Sequence, residues 1–428
     1  MNMRDDDLEL SSLASLAAQE DFVSNLKHRH RTGTIWALFF LLATIIGIIT
    51  LTALLLDILN DTSGYAVIGF KTPPASLKGG VPLDQLSAEQ LTQILQDHVS
   101  RGRFNTLQKE KSLESRSVAE LVKVVTQEVV KPQVQATYSL FESIFYKNKI
   151  FTEASEKYPG EFIVFRSWFN NEFLATPQSS EPLYAGIRTA ILGSLWIIAI
   201  AMLVAFPLGI GAAIYLEEFA KGKQSRLNSI IQTNINNLAG VPSIIYGLLG
   251  LAVFVRVLEP LTSGKIFGLT ADTVTANGRT VLSAGLTLAL LILPVIIINA
   301  QEAIRAVPGS LREAGLGVGA TKWQTVWSHV LPVALPGILT GSILAMSRAI
   351  GETAPLVVVG ASTFITYDPS IVFSRFTALP IQIYQWTTRP QDEFHNLAAA
   401  SIIALLLLLL SLNATAILLR NRYSRRYL

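Results

Sequence analysis

The sequence predicts an all-α polytopic membrane protein with six transmembrane helices and a mainly helical extracytoplasmic domain between helices 1 and 2. Half of the 428 residues are hydrophobic and only 15% are charged, which is too little charge to solvate a soluble surface of this size. The apolar residues are concentrated in runs of about 20 or more, the length that a helix needs to cross a hydrocarbon core of about 30 Å. Both observations indicate a membrane-spanning protein.

Residues 1–33 form a polar N-terminal segment that ends in the basic cluster Lys27–Arg31. The apolar run at residues 34–56 follows directly, and its length as a helix, roughly 34 Å, is enough to span a bilayer. The preceding segment is too long and too acidic for a signal peptide, so the run is predicted to be an uncleaved anchor. The basic cluster before it predicts a cytoplasmic N-terminus.

Residues 57–184 have the composition of a soluble domain. Ser87 and Gln90 are spaced as a helix start with a capping side chain, and Leu91, Ile94 and Leu95 recur at helical spacing. This region is therefore predicted to be the mainly helical extracytoplasmic domain.

Residues 185–420 return to the membrane and form the predicted transmembrane domain, and residues 421–428 form a basic cytoplasmic tail. The apolar runs of this domain predict five spans at Gly186–Leu216, Asn234–Leu258, Val281–Ala300, Val333–Ala361 and Leu397–Leu419. Starting from a cytoplasmic N-terminus, the predicted internal segments carry most of the basic residues near the membrane: Lys27, Arg29, Arg31, Lys221, Lys223, Arg226, Arg305, Arg312, Lys322, Arg420, Arg422, Arg425 and Arg426. This asymmetry predicts that both termini are cytoplasmic.

Two charges interrupt the apolar run Val333–Ala361 near its middle. This run is the fifth span when the N-terminal anchor is counted as the first. Arg348 and Glu352 lie there, and each charge at bilayer depth costs roughly 2.5–3.5 kcal/mol. A local i,i+4 ion pair returns only about 0.2–0.5 kcal/mol. On a helix these residues share a face with the small residues Gly341 and Ala345, where another helix or a narrow pathway can approach. The attraction between the two charges therefore does not offset the cost of placing them in the bilayer, which indicates a further role for the pair.

The longest internal connection, at about residues 301–332, is predicted to carry a short exposed helix. Trp323 and Trp327 are one helical turn apart, which is typical either of a docking surface for a partner or of an aromatic belt at the membrane interface. Its glycine run, from Gly315 to Gly319, is predicted to allow a tight bend. It does not indicate nucleotide binding, because no strand precedes it and no Gly-Lys-Ser/Thr follows.

The same connection resembles the EAA loop of ATP-binding-cassette importer permeases. The matching positions are Glu313, Ala314, Gly315, Gly319, Leu331 and Pro332. Two residues depart from the usual pattern: Gly315 replaces an alanine, and His329 replaces an isoleucine. The resemblance implies the type I importer permease fold, with this loop forming a coupling helix that inserts into a cleft of a cytoplasmic ATPase subunit.

Three further stretches, Gly240–Leu248, Ser347–Leu356 and Ala378–Tyr384, are similar to the phosphate-specific permeases. Within the second stretch, Gly351–Leu356 matches the PstA type better than its partner PstC. This implies the permease subunit of an ATP-driven phosphate importer in the bacterial inner membrane. The implied partners are a PstC-type permease, a PstB-type ATPase dimer and a PstS-type external phosphate-binding protein. ATP and Mg²⁺ would bind the ATPase partner, and no cofactor would bind this chain.

The resemblance also implies a functional arginine and glutamate in the fifth span. A guanidinium offers a fixed fork of donors that matches phosphate oxygens, so Arg348 is predicted to bind orthophosphate transiently. Glu352 then either holds the arginine or meets a protonated phosphate oxygen. The alternative is a structural ion pair that locks two helices together.

One alternative function is the permease of an ATP-binding-cassette importer for another anion. A secondary transporter is another, but it is expected to show internal repeats and broken half-helices, which the sequence does not convincingly show. An intramembrane enzyme or a membrane sensor would also account for the external domain. The five histidines are scattered, however, and the chain has no cysteine and no His-Glu-x-x-His or Gly-x-Ser-x-Gly motif. The net charge of +3 gives no indication of nucleic acid binding.

Overall fold

A computed structural model describes residues 20–77, 81–220, 226–268, 277–361 and 364–424. Most of the predicted N-terminal segment, Lys221, Lys223, Arg425 and Arg426 lie outside the described residues. The chain divides into two compact units, Met1–Ile58 and Leu59–Leu428. Five long apolar helices of the described part are fit to cross a membrane, and a bent pair of helices is a sixth candidate span. This confirms the predicted helical membrane class.

The first unit contains most of helix α1 (Glu20–Asp61), which includes the predicted anchor. Threonines within its apolar stretch donate their hydroxyls to carbonyls one turn back, as Thr44 does to Phe40 and Thr50 to Ile46, at 2.8 and 2.9 Å. These local bonds satisfy the hydroxyl groups inside the helix, so they need no water within the hydrocarbon core.

The region predicted to be the extracytoplasmic domain contains a three-stranded antiparallel sheet that the sequence did not predict. Strand β1 (Ser63–Phe70) is central and pairs with β2 (Pro132–Thr137) and β3 (Phe162–Ser167). The strands are short, and their partners are far apart in the sequence, so local periodicity gave little indication of them. Helices contribute more residues than strands: α2 (Ala88–His98), α3 (Arg101–Glu110), α4 (Val118–Val125), α5 (Leu140–Phe145), α6 (Lys147–Lys157) and α7 (Asn171–Ala175).

Two hydrophobic cores organise this region. One lies among α2, α3 and α4 and includes the predicted Leu91, Ile94 and Leu95. The other packs Trp168 and Leu183 against Trp386 and Leu397 of the transmembrane part. This region therefore shares a core with the transmembrane helices.

The transmembrane part is built around helix α12, which packs against α8 and α15. Its helices in chain order are α8 (Arg188–Ile214), α9 (Arg226–Ala239), α10 (Ser243–Gly250), α11 (Glu259–Thr262), α12 (Val281–Arg305), α13 (Gly309–Gly317), α14 (Lys322–Thr325), α15 (Leu331–Gly351), α16 (Ala354–Val359), α17 (Leu379–Thr387) and α18 (Asp392–Ser424). Small residues allow the central helices to approach closely, as where Gly341 of α15 faces Asn299 of α12.

The predicted span Asn234–Leu258 is not one continuous helix. The chain bends by 106° between α9 and α10, at Gly240–Pro242. Pro242 has no N–H to continue the α9 hydrogen bonds. The Tyr246 hydroxyl donates to the Leu238 carbonyl at 2.7 Å and ties the two helices together across the bend.

The predicted run Val333–Ala361 is also not one helix. The helix formed by α14, α15 and the wide turn between them is continuous over Lys322–Gly351, and Glu352 then adopts an extended conformation. The following helix, α16, begins at Ala354, because Pro355 cannot donate to Gly351 and its ring would clash with that carbonyl. Arg348 therefore lies in the last turn of the long helix, not near the middle of a straight span.

Candidate functional site

The EAA-like loop folds into the short helix α13, followed by a left-handed turn at Gly319. The Gly319 N–H donates to the Leu316 carbonyl at 3.0 Å, and the Ala320 N–H donates to the Gly315 carbonyl at 3.1 Å. This bond pair is the Schellman arrangement that ends a helix, and it requires a positive φ, here +82° at Gly319. The predicted bend is thus located at Gly319, and Gly317 takes no part in it.

Gly315 has a different role, which is close packing. A Cβ at this position would lie 2.8 Å from Thr325 Cγ2, so the alanine usual in the EAA pattern would displace α14 in this chain. Leu331 packs into the core beneath the loop, and Pro332 follows a wide turn at Val326–Val330. A wide turn before Pro332 fits its missing N–H, because the proline cannot complete an ordinary helical bond.

An exposed apolar surface covers the outside of this loop, and we call it the coupling patch: Leu316, Val318, Trp323 and Trp327. The two tryptophan rings stack with centroids 5.7 Å apart. Glu313 and Ala314 are exposed beside it. The first residues of the EAA pattern therefore divide into an exposed pair, Glu313 and Ala314, a position of close packing, Gly315, and a turn position, Gly319.

Two buried carboxylates, in the wide turn Tyr215–Phe219 that directly follows α8, hold α13 in place. Glu218 is 6% exposed, and its Oε1 accepts from Nη2 and Nε of Arg312 at 2.7 and 2.9 Å. Arg312 lies on α13 and also donates to the carbonyls of Val307 and Ile304, at 2.7 and 2.8 Å. One arginine thus joins the coupling helix, the end of α12 and the end of α8.

The neighbouring Glu217 makes a second connection. Its Oε1 accepts from Arg305 Nη2 at 2.6 Å and from Gln301 Nε2 at 3.4 Å. Gln301 also donates to Gln232 of α9 at 2.8 Å. These side chains therefore connect the end of α8 to α12, and α12 to α9.

Neither glutamate was predicted as a site residue. Arg305 and Arg312 were identified only as topology-setting charges. The available signal was the adjacent pair Glu217–Glu218 at the end of an apolar run, where unpaired carboxylates are costly and therefore need cationic partners.

The Arg348–Glu352 pair is present but is not a helical-face pair. Arg348 Nε donates to Glu352 Oε1 at 3.2 Å, while Glu352 lies just beyond the helix end. The predicted common face therefore holds for Gly341, Ala345 and Arg348 but not for Glu352. Among the described residues, the two terminal nitrogens of Arg348 have no hydrogen-bond partner, and its side chain is 47% exposed.

Other family-similar stretches meet beside this pair. Gly247 of α10 packs against Pro355, whose Cα would lie 2.7 Å from a Cβ at Gly247. Ser347 donates to Asn413 of α18 at 2.8 Å and fixes the last turn of α15. Gly341 and Ala345 face the chain's own helices, so the close approach predicted there is helix packing and not an open pathway.

Substitution of Gly319 by alanine is expected to loosen the coupling helix. A residue with a Cβ costs about 1–2 kcal/mol in the left-handed conformation that Gly319 adopts. Trypsin should cleave the purified variant faster at Arg312 and Lys322. Gly317→Ala is the matched control, because a Cβ there would meet no atom within 4 Å and its φ is not positive. Equal cleavage rates for the two variants would contradict this role of the turn.

Comparison with known proteins places these features in a family. Residues 205–428 match the model of the binding-protein-dependent transport system inner membrane component. The chain is 31% identical over 269 residues to the phosphate transport system permease protein PstA 1 of Mycobacterium tuberculosis H37Rv, covering 62% of this chain and 80% of the relative. It is 34% identical over 247 residues to PstA of Mycobacterium leprae, covering 58% and 74% respectively.

Solved structures give weaker similarities. The inward-facing MetNI methionine ABC transporter matches with 20% identity and a TM-score of 0.40, covering 58% of this chain and 99% of that chain. A bacterial ABC transporter that imports alginate matches with 17% identity and a TM-score of 0.44, covering 75% and 99%. On the family model and the curated relatives, the chain belongs to the family of binding-protein-dependent transport system inner membrane components.

Proposed function

We propose that this chain is the permease subunit of an ATP-driven importer of inorganic phosphate. The observation that carries the proposal is its similarity to the PstA permeases, of which it covers about three quarters or more. The chain is a multi-pass inner membrane protein of a transporter family, and its own contribution is a pathway instead of a catalytic centre.

Arg348 and Glu352 supply the proposed anion contact. Glu352 engages only Nε of the guanidinium, so the two terminal nitrogens are left to donate to phosphate oxygens. A bidentate arginine is the usual means by which proteins recognise phosphate, and charge-assisted hydrogen bonds are stronger than neutral ones. The exposure of Arg348 in the single chain fits a pathway that a second, PstC-type permease completes.

The coupling patch is the proposed contact with a PstB-type ATPase dimer, which would bind ATP and Mg²⁺. Its exposed tryptophans are residues that dominate many protein interfaces. Arg312 and Glu218 connect the patch rigidly to α8 and α12. In the proposed arrangement a PstS-type protein delivers phosphate from outside, and both termini of this chain are cytoplasmic.

The proposal is tested by reconstituting the chain in liposomes with its permease and ATPase partners. The phosphate-binding protein is supplied on the side of the membrane opposite to the ATPase. We expect labelled phosphate uptake that requires ATP and resists competition by excess sulfate. Uptake driven by an ion gradient without ATP would indicate a secondary transporter, and sulfate uptake would indicate an importer of another anion. Failure of the ATPase and the second permease to co-purify with the tagged chain would also contradict the proposal.

A further inference from the structure

The short helix α5 of the extracytoplasmic domain presents a dense apolar surface, which we call the α5 patch: Phe141, Ile144, Phe145 and Tyr146. Phe141, Ile144 and Phe145 lie on one face of α5 and Tyr146 directly follows the helix, and Phe145 is 73% exposed. Other large apolar residues of this domain are also exposed, mainly Phe162, Val164 and Phe165 of β3, but none of them is as exposed as Ile144, Phe145 or Tyr146. Contiguous exposed apolar groups of this kind mark an interaction site more often than isolated ones do.

Hydrogen bonds fix the level of the α5 patch relative to the membrane. The last predicted span begins at Leu397, and the preceding residue, Asn396, donates to the Asp61 carbonyl at 2.7 Å. The adjacent Asn60 accepts from the Phe141 N–H through its side-chain oxygen at 2.8 Å. Two consecutive contacts therefore link the start of α5 to the outer end of a membrane-spanning helix.

The α5 patch is held rigidly at that level. Ser139 caps α5 together with Glu142, and the buried Ser143 accepts from the Tyr65 N–H of β1 at 2.9 Å. The Tyr138 N–H donates to the Tyr65 carbonyl at 2.9 Å. Because α5 is fixed to the central strand of the sheet, its apolar face cannot fold back into the domain core without breaking these bonds.

The chemistry of the α5 patch and its neighbours suits a lipid surface. Aromatic side chains concentrate at the level of the lipid headgroups, where an apolar ring and a polar tip such as the Tyr146 hydroxyl are both satisfied. Lys147 follows directly and is exposed, so its ammonium group can meet lipid phosphates. A short apolar helix face of this kind lies in the interface plane without crossing it.

We infer that the α5 patch inserts into the outer leaflet of the membrane and anchors the extracytoplasmic domain against the lipid headgroups. The anchor would hold the domain at a fixed tilt over the external end of the transmembrane part. This inference rests on the membrane location of the chain and is independent of the substrate.

The chain has no cysteine, so a single introduced thiol can be labelled without background. Phe145→Cys and, separately, Ile144→Cys are labelled with an environment-sensitive fluorophore in the full chain, reconstituted in nanodiscs. We expect blue-shifted emission at both positions. We also expect stronger loss of emission with lipids that carry a nitroxide at the headgroup than with lipids labelled at the end of the acyl chain.

Val118→Cys is the matched control, because Val118 is an exposed apolar residue of the same domain at the start of α4. Its label should emit as in water and lose no emission to either lipid. Labels at 144 and 145 that also emit as in water would overturn the inference. Labels that are blue-shifted but lose no emission to nitroxide lipids would overturn it too, because protein and not lipid would then cover the α5 patch. This holds whether the chain is measured by itself or with the partner permease.

Discussion

Replacing Glu218 with leucine is expected to destabilise the chain by about 3 kcal/mol, because removal of one member of a buried ion pair leaves an uncompensated charge. The side chain of the remaining partner, Arg312, is only 24% exposed, so water can hydrate the unpaired guanidinium only in part. The free energy of unfolding in detergent micelles would report the change. Trypsin should also cleave the EAA-like loop faster, since α13 would lose its connection to α8.

Two further variants separate the buried pair from surface charge effects. Glu302→Leu removes an exposed ion pair with Arg305, at 2.9 Å, and should cost less than about 1 kcal/mol. The double variant Glu218→Leu, Arg312→Met should lose less stability than the sum of its two single changes, because it removes the buried charge together with its partner. Strict additivity, or an equal loss for Glu302→Leu, would show that the Arg312–Glu218 bond does not hold the coupling helix.

Replacing Arg348 with lysine is expected to lower phosphate uptake by about ten- to a hundredfold while leaving assembly intact. Lysine keeps the positive charge but loses the planar fork, and one hydrogen bond to a charged group is worth about 1.5–3 kcal/mol. Uptake by the reconstituted complex is the measurement. Arg420→Lys is the matched control, since Arg420 is a half-buried arginine of α18 that bonds Thr340 at 3.1 Å and has no proposed contact with substrate. Wild-type uptake by the Arg348→Lys complex would exclude the bidentate role and favour a structural ion pair.

The two proposed roles of Glu352 predict different results for Glu352→Gln. A glutamine oxygen can still accept from Arg348 Nε, which Glu352 now contacts at 3.2 Å. If Glu352 only orients the arginine, uptake should stay close to that of the natural chain. If Glu352 receives a hydrogen bond from a protonated phosphate oxygen as a charged acceptor, uptake should fall together with that of Arg348→Lys.

Much of the fold followed from local sequence patterns. Runs of apolar residues indicated each helix of the described residues that is long and apolar enough to cross a membrane, because the length of a span is set by bilayer thickness and appears directly in the sequence. The bend at Gly240–Pro242 and the helix end at Gly351 were missed. Hydropathy is the same on both sides of each break, so only the prolines marked them, and a proline inside an apolar run is also compatible with a kinked continuous helix.

Some features of the candidate site could likewise be identified from the sequence, and others only from the tertiary structure. The sequence alone identified the EAA-like loop, its glycines and the Arg348–Glu352 pair, since each is a local pattern with its own chemical meaning. Only the tertiary structure joined Arg312 to Glu218, 94 residues away, and Phe141 to Asn60, 81 residues away. Such contacts depend on how helices pack and not on neighbours along the chain. For that reason the sequence determined which residues carry the proposed transport chemistry, and the tertiary structure decided which carboxylates hold the coupling helix and which aromatic face meets the lipid.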